Sequence, residues 1–138
     1  MVGVVVASHG GLAGELLRTA EAIVGPIPRA AAVTVDAKVS MDEARARLGS
    51  AIAGADDGDG VLVLTDMFGG SPANLALTFL DARVEVVTGV NLPMVVKLAT
   101  LRGEGLALAP LAAAIAAYGQ KNVTLASELL RAKLKGTA

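Results

Sequence analysis

Val4-Val5-Val6-Ala7-Ser8-His9-Gly10-Gly11 opens as a β-branched apolar run and stops at two glycines. Such a run reads as a buried strand whose end emerges in a loop. The residues that follow change period. Leu12, Leu16, Leu17, Ala20, Ile23 and Val24 recur at threes and fours, Glu15, Arg18 and Glu21 fall elsewhere on the wheel, and Gly25-Pro26 ends the pattern. A strand, a glycine turn and an amphipathic helix make the unit from which open α/β sheets are built, and such sheets place their sites at that turn. His9 is the only histidine of the chain, so imidazole chemistry, if present, occurs at this turn.

The same alternation continues outward. The β-like runs are Val2–Ala7, Ala31–Val35, Val61–Thr65, Val84–Thr88 and Asn122–Ala126. Met41, Ala44, Leu48, Ile52 and Ala55 form a second helical stripe, and Ser40 and Glu43 stand at capping-box spacing before it. Further helices are expected from Ser71-Pro72, from Asn91-Leu92-Pro93 and near Pro110, each with proline in its first turn, where the missing N–H costs little. Alternating strands and helices with right-handed crossovers predict an α/β fold of three layers around a mainly parallel sheet. Asp56-Asp57-Gly58-Asp59-Gly60 lacks the register and final glutamate of a calcium loop and reads as a helix-to-strand turn. Residues 1–138 are expected to form one domain, with 127–138 a short C-terminal helix or tail.

Composition narrows the function. Hydrophobic residues make up 54% of the chain before its 16 glycines are counted, whereas typical domains reach about 45–50% with glycine included. Parallel strands covered on both faces absorb part of that surplus, and an apolar subunit interface would absorb more. A net charge of −1 and an aromatic fraction of 2% leave neither a basic stripe nor a stacking platform for nucleic acid. With no cysteine and one histidine, disulfides, thiol catalysis and thiolate metal sites are excluded, and no metal or cofactor is expected. The amino terminus lacks the basic start of a signal peptide, and Leu106–Ala117 is too short to span a bilayer and contains Pro110. A cytoplasmic protein without membrane insertion is expected.

Three strand ends carry polar or glycine-rich loops: Ser8-His9-Gly10-Gly11, Thr65-Asp66-Met67-Phe68-Gly69-Gly70-Ser71-Pro72 and Thr88-Gly89-Val90-Asn91-Leu92-Pro93. In a 2-1-3-4 strand order the first and third strands meet at the switch point, bringing His9 and Asp66 face to face. A carboxylate on one imidazole nitrogen fixes the tautomer and leaves the other nitrogen's lone pair for an electrophile. Gly10, Gly11, Gly69, Gly70 and Ser71 supply backbone N–H groups before two helices, which suits phosphate. Each element alone has a plainer reading: a loop histidine, a turn aspartate, a tight turn with Ser71 as N-cap. Together, on one edge, they point to phosphoryl transfer onto nitrogen. No Gly-x-x-x-x-Gly-Lys-Ser/Thr sequence for ATP is present.

The segments Ala7-Ser8-His9-Gly10-Gly11-Leu12-Ala13, Asp66-Met67-Phe68-Gly69-Gly70-Ser71-Pro72-Ala73-Asn74 and Thr88-Gly89-Val90-Asn91-Leu92-Pro93-Met94 resemble, in this order, the mannose-type enzyme IIA domain of the bacterial phosphoenolpyruvate-dependent sugar phosphotransferase system. The resemblance runs from Val4 to about Ala126. It implies that His9 accepts a phosphoryl group from the carrier HPr and passes it to a histidine of a IIB protein. Asp66 would orient His9, Ser71 and the flanking glycine amides would contact the phosphoryl oxygens, and Phe68 and Asn91 would form the rim. It also implies a sheet in 2-1-3-4 order with a fifth, antiparallel strand, here Asn122–Ala126, exchanged in a homodimer. With only a short basic tail after Ala126, the IIB acceptor is expected to be a separate protein.

The alternatives are a regulatory or small-ligand-binding α/β module without phosphotransfer, and the phosphotransfer subunit of a dihydroxyacetone kinase, against which the Phe68–Asn74 segment argues. A dinucleotide fingerprint is spoiled by His9 at its first glycine position. A Ser71 hydrolase lacks the N–H after its nucleophile, because Pro72 stands there. A receiver domain phosphorylated on Asp66 would need an acidic pair where Ser8-His9 stands.

Overall fold

A computed structural model describes residues 1–135. Four strands, β1 (Gly3–His9), β2 (Ala30–Val35), β3 (Val61–Thr65) and β4 (Val84–Thr88), form one all-parallel sheet in the order β2-β1-β3-β4. Helices α1 (Leu12–Val24), α2 (Met41–Ala55), α3 (Ser71–Leu77), α4 (Leu92–Leu101) and α5 (Leu108–Lys121) cover it, and α6 (Ala126–Leu134) follows. The expected strand order is borne out. The central strands β1 and β3 are buried on both faces, which is why their sequences are unbroken apolar runs rather than alternating ones.

Alternation along the strands divides the core in two. Val4, Val6, Leu62 and Leu64 pack against α1, α4 and α5 through Leu17, Ala20, Met94, Leu98, Leu111 and Ile115. Val5, Ala7, Val61 and Val63 face α2 and α3 through Ala44, Leu48, Ile52, Leu75 and Ala76. Each fully buried Val, Leu or Ile side chain contributes about 1.5–3 kcal/mol relative to exposure, so both sheet faces are strongly specified and a one-residue slip of β1 would invert them.

Local signals fix the helix starts. Ser40 caps α2, its Oγ accepting the Glu43 N–H at 3.1 Å. Asn91 caps α4 in the same way through Met94 N–H at 3.1 Å. Between α2 and β3, Asp56 Oδ1 accepts the N–H groups of Gly58 and Gly60, and Arg83 holds the carboxylate on both oxygens. This is the expected helix-to-strand turn. The Arg83 guanidinium foremost, and then the Gly58 N–H, hold the Asp56 carboxyl down to a pKa of about 2.

Two elements differ from the sequence reading. Strand β1 runs on to His9, which is paired in register with Val35 rather than lying in the loop. Asn122–Ala126 forms no strand in this chain. Asn122 N–H bonds back to the Tyr118 carbonyl at 3.1 Å and Val123 N–H to that of Gln120 at 3.4 Å, so the backbone winds off the end of α5 until α6 begins at Ala126. A strand needs an edge to pair with, and among the described residues this segment pairs with none of the four strands. The sheet described here is therefore four-stranded and parallel. The expected C-terminal helix is α6; residues 136–138 of the expected tail lie outside the described residues. Among the described residues no helix is long and apolar enough to cross a membrane.

Candidate functional site

The register Ala7↔Thr65 between β1 and β3 sets His9 and Asp66 beside one another at the carboxyl edge of the sheet. Asp66 Oδ2 accepts the His9 backbone N–H at 3.0 Å and lies 2.7 Å from His9 Nδ1, while Oδ1 accepts the Met67 N–H at 3.1 Å. An ionised carboxylate only accepts, so this contact places the ring proton on Nδ1 and leaves the Nε2 lone pair free. The two side chains differ in exposure: 49% for His9 and 13% for Asp66. Burial pushes the Asp66 carboxyl up, but the His9 ring contact, the His9 backbone N–H and the charge of the ring together outweigh it and hold the pKa below the usual carboxylate value. The anionic form is thus the one built into the site.

The free side of the ring rests on Gly70. A Cβ there would lie 2.7 Å from His9 Cε1 and 3.3 Å from Nε2, although Gly70 itself has an ordinary φ of −85°. The imidazole, not the backbone angle, is what requires glycine at this position. Gly10 is glycine for the other reason: its φ of +53° is the left-handed turn that lets the chain leave β1 and enter α1. Ser71, the first residue of α3, lines with His9, Val35, Asp36, Ser40 and Met41 a cavity of about 470 Å³ between the β2–α2 loop and the glycine turn. His9 therefore stands at an open cavity, and its Nε2 has no hydrogen-bond partner among the described residues. Phe68, 77% exposed, and Met67 stand exposed in the loop after β3, Leu12 is exposed at the start of α1, and the exposed Met41 lines the cavity.

Of the residues singled out in the sequence, His9, Asp66, Gly70 and Ser71 are brought together, with Gly10, Gly11 and Gly69 in the loops that hold them. Asn91 is not brought to this cavity. Its Oδ1 caps α4, its Nδ2 donates to the Gly119 carbonyl at 3.1 Å, and it lines a separate cavity of about 250 Å³ with Thr88, Met94 and Val123. One residue beside His9 escaped the sequence reading. Ser8 is fully buried, and its Oγ accepts the Ala13 N–H at 2.7 Å and donates to the His9 carbonyl at 3.0 Å. A hydroxyl at an interior position of a two-face-buried strand was the available signal.

Comparison with known proteins follows the same lines. The family model described as "PTS system fructose IIA component" matches residues 3–116. The fructose-specific EIIA component of the phosphotransferase system of Bacillus subtilis (strain 168) is 30% identical over 132 residues, covering 94% of this chain and 90% of that protein. The mannose-specific EIIAB component of Escherichia coli (strain K12) is 29% identical over 124 residues, 88% of this chain; the match spans only 38% of that longer protein. Among solved structures, the mannose/sorbose specific IIA subunit of the phosphotransferase system from Enterococcus faecalis superposes with a TM-score of 0.79 at 31% identity, covering 89% of this chain and 92% of that one. The chain belongs to the mannose/fructose-type enzyme IIA family of the sugar phosphotransferase system.

Proposed function

We propose that this protein is a phosphocarrier: His9 accepts a phosphoryl group on Nε2 from phospho-HPr and passes it to a histidine of a IIB partner in sugar uptake. The observation that carries the reading is the 2.7 Å contact between His9 Nδ1 and Asp66 Oδ2, which leaves Nε2 as the nucleophile at an open cavity. In the forward step the Nε2 lone pair attacks phosphorus as the donor's P–N bond breaks, and that bonding pair returns to the donor imidazole. The product ring carries phosphoryl on Nε2 and a proton on Nδ1, so it is cationic, and the Asp66 carboxylate stabilises it. Return transfer to IIB reverses these changes. The exchange balances without a redox partner or a cofactor.

In a loose transition state, charge gathers on the three phosphoryl oxygens and catalysis is chiefly positioning and anion stabilisation. Ser71, which lines the cavity of His9, and Gly70, against its ring, would serve those oxygens, together with the backbone N–H groups of Gly10, Gly11 and Gly69. The exposed apolar side chains of Phe68 and Met67, next to Asp66 in the chain, and of Leu12, three residues after His9, suit transient docking of a protein partner. The reading further includes a cytoplasmic location and a homodimer in which Asn122–Ala126 is exchanged; Val123 and Leu125 at 78% and 66% exposure support it, since a partner would cover them.

The test is intact-mass spectrometry at neutral pH after incubation with phosphoenolpyruvate, enzyme I and HPr, on the native chain and a folded His9→Ala variant. A single acid-labile phosphoryl adduct on the native chain alone is expected. An adduct that survives His9→Ala, or none on the native chain with active donors, overturns the assignment; the latter would favour a binding or regulatory module.

A further inference from the structure

We propose that Ser8 is a positioning residue for phosphoryl transfer at His9, acting on the main chain to the carboxyl side of the nucleophile; the proposal rests on the phosphocarrier reading above. His9 is held on its amino side by Asp66, which takes both its backbone N–H and its ring Nδ1–H. On its carboxyl side the chain enters two glycines, and a Cβ at Gly10 or Gly11 would meet nothing within 4 Å. No side chain packs against the open side of this turn. It is tied by the Glu15 N–H on the Gly11 carbonyl at 3.1 Å and, at His9 itself, by the Ser8 hydroxyl, which donates to the His9 carbonyl at 3.0 Å while accepting the Ala13 N–H at 2.7 Å. One buried group thus closes a loop from the nucleophile to the first turn of α1.

The strand geometry makes this arrangement possible. Alternation along β1 sends His9 to the α2 and α3 side and Ser8 to the α1 side, so the two neighbours work on opposite faces of the sheet. Gly11, the N-cap of α1, has no side chain to satisfy the helix amides, and Ser8 takes that task from inside the strand. The hydroxyl thereby ties the main chain of His9 to the first turn of α1. If it were only a helix cap, its loss would lower stability and leave the transfer rate of the folded protein unchanged. As a positioning group, its loss lets the His9–Gly10 peptide rotate, and small misplacements at a reacting centre are costly in rate.

The test compares Ser8→Ala, Ser8→Cys and Ser8→Thr in the full-length protein, all checked for folding by circular dichroism well below their Tm. Steady-state transfer from phospho-HPr is measured for kcat and KM. Cysteine keeps the volume and donates only weakly, and threonine keeps the hydroxyl. We expect kcat about tenfold lower for Ser8→Ala and Ser8→Cys, KM for phospho-HPr within about twofold, and kcat for Ser8→Thr within about threefold of the native chain. Native kcat in Ser8→Ala or Ser8→Cys, or a change confined to KM or Tm, overturns the positioning role while leaving the carrier reading intact. A native chain that takes no phosphoryl group from active phospho-HPr overturns both.

Discussion

A single carboxylate oxygen, Oδ2 of Asp66, holds His9 twice, by the ring at 2.7 Å and by the backbone N–H at 3.0 Å. The other oxygen holds Met67 N–H at 3.1 Å. Three donors thus converge on one acceptor-only group, and an amide cannot replace it: whichever way asparagine is turned, its NH2 faces at least one of them. Turned toward His9, it also forces the proton onto Nε2, the wrong tautomer for attack. Asp66→Asn is expected to remain folded and to lower the single-turnover rate of transfer from phospho-HPr by roughly 10²-fold or more, as read by rapid quench. A rate within threefold of native would contradict the role given to Asp66.

Gly70→Ala separates the site from the fold. The backbone at Gly70 tolerates alanine, but the added methyl meets the imidazole at 2.7 Å from Cε1. The ring is the group that yields, since His9 is half exposed. Transfer is expected to drop by roughly 10²-fold, with Tm changed by no more than about 4 °C. A large fall in Tm with the specific rate preserved would mean that Gly70 serves the fold instead.

Stability should fall in acid through Asp56. Its folded pKa, about 2, lies below the unfolded value of 3.8, so the stabilisation is present above pH 3.8 and is lost as the pH falls through about 2. Asp66, also held low, acts in the same direction. Urea midpoints measured from pH 5 to pH 2 should decline, and the decline between pH 4 and pH 2 should be smaller in Asp56→Asn. An identical slope in the two proteins would remove Asp56 as a source of the acid sensitivity.

Val123 and Leu125 are exposed in a single chain, and the proposed exchange would bury them. Leu125→Asp should shift the protein from dimer toward monomer in light scattering at micromolar concentration, because a desolvated carboxylate in an apolar interface is expensive. A monomeric native chain, or a variant that remains as dimeric as the native one, speaks against exchange of this segment.

Much of this was legible in the sequence because period and punctuation agreed. The unbroken apolar runs at Val4–Ala7 and Val61–Leu64 mark strands buried on both faces, and Ser40 with Glu43, like Pro72 and Pro93, marks helix starts that are found where expected. The His9–Asp66 pairing follows from the 2-1-3-4 strand order that the family resemblance implies. What escaped depends on pairing that one segment cannot encode. Periodicity ends β1 where polarity begins, yet the ladder with Val35 carries it on to His9. Val123 and its neighbours have strand-like composition, but β propensity acts only beside a free edge. Asn91 occupies a motif position, while its hydrogen bonds are spent on α4 and Gly119.

The most direct measurement is heteronuclear NMR of the native chain labelled with ¹⁵N in histidine, before and after phosphorylation by phosphoenolpyruvate, enzyme I and HPr. With a single histidine, both ring nitrogens are assigned without ambiguity. Nδ1 should be protonated in the free protein, and phosphorus coupling should appear on Nε2 in the phosphorylated one. Phosphorus on Nδ1, or a free protein with Nε2 protonated instead, would contradict the account.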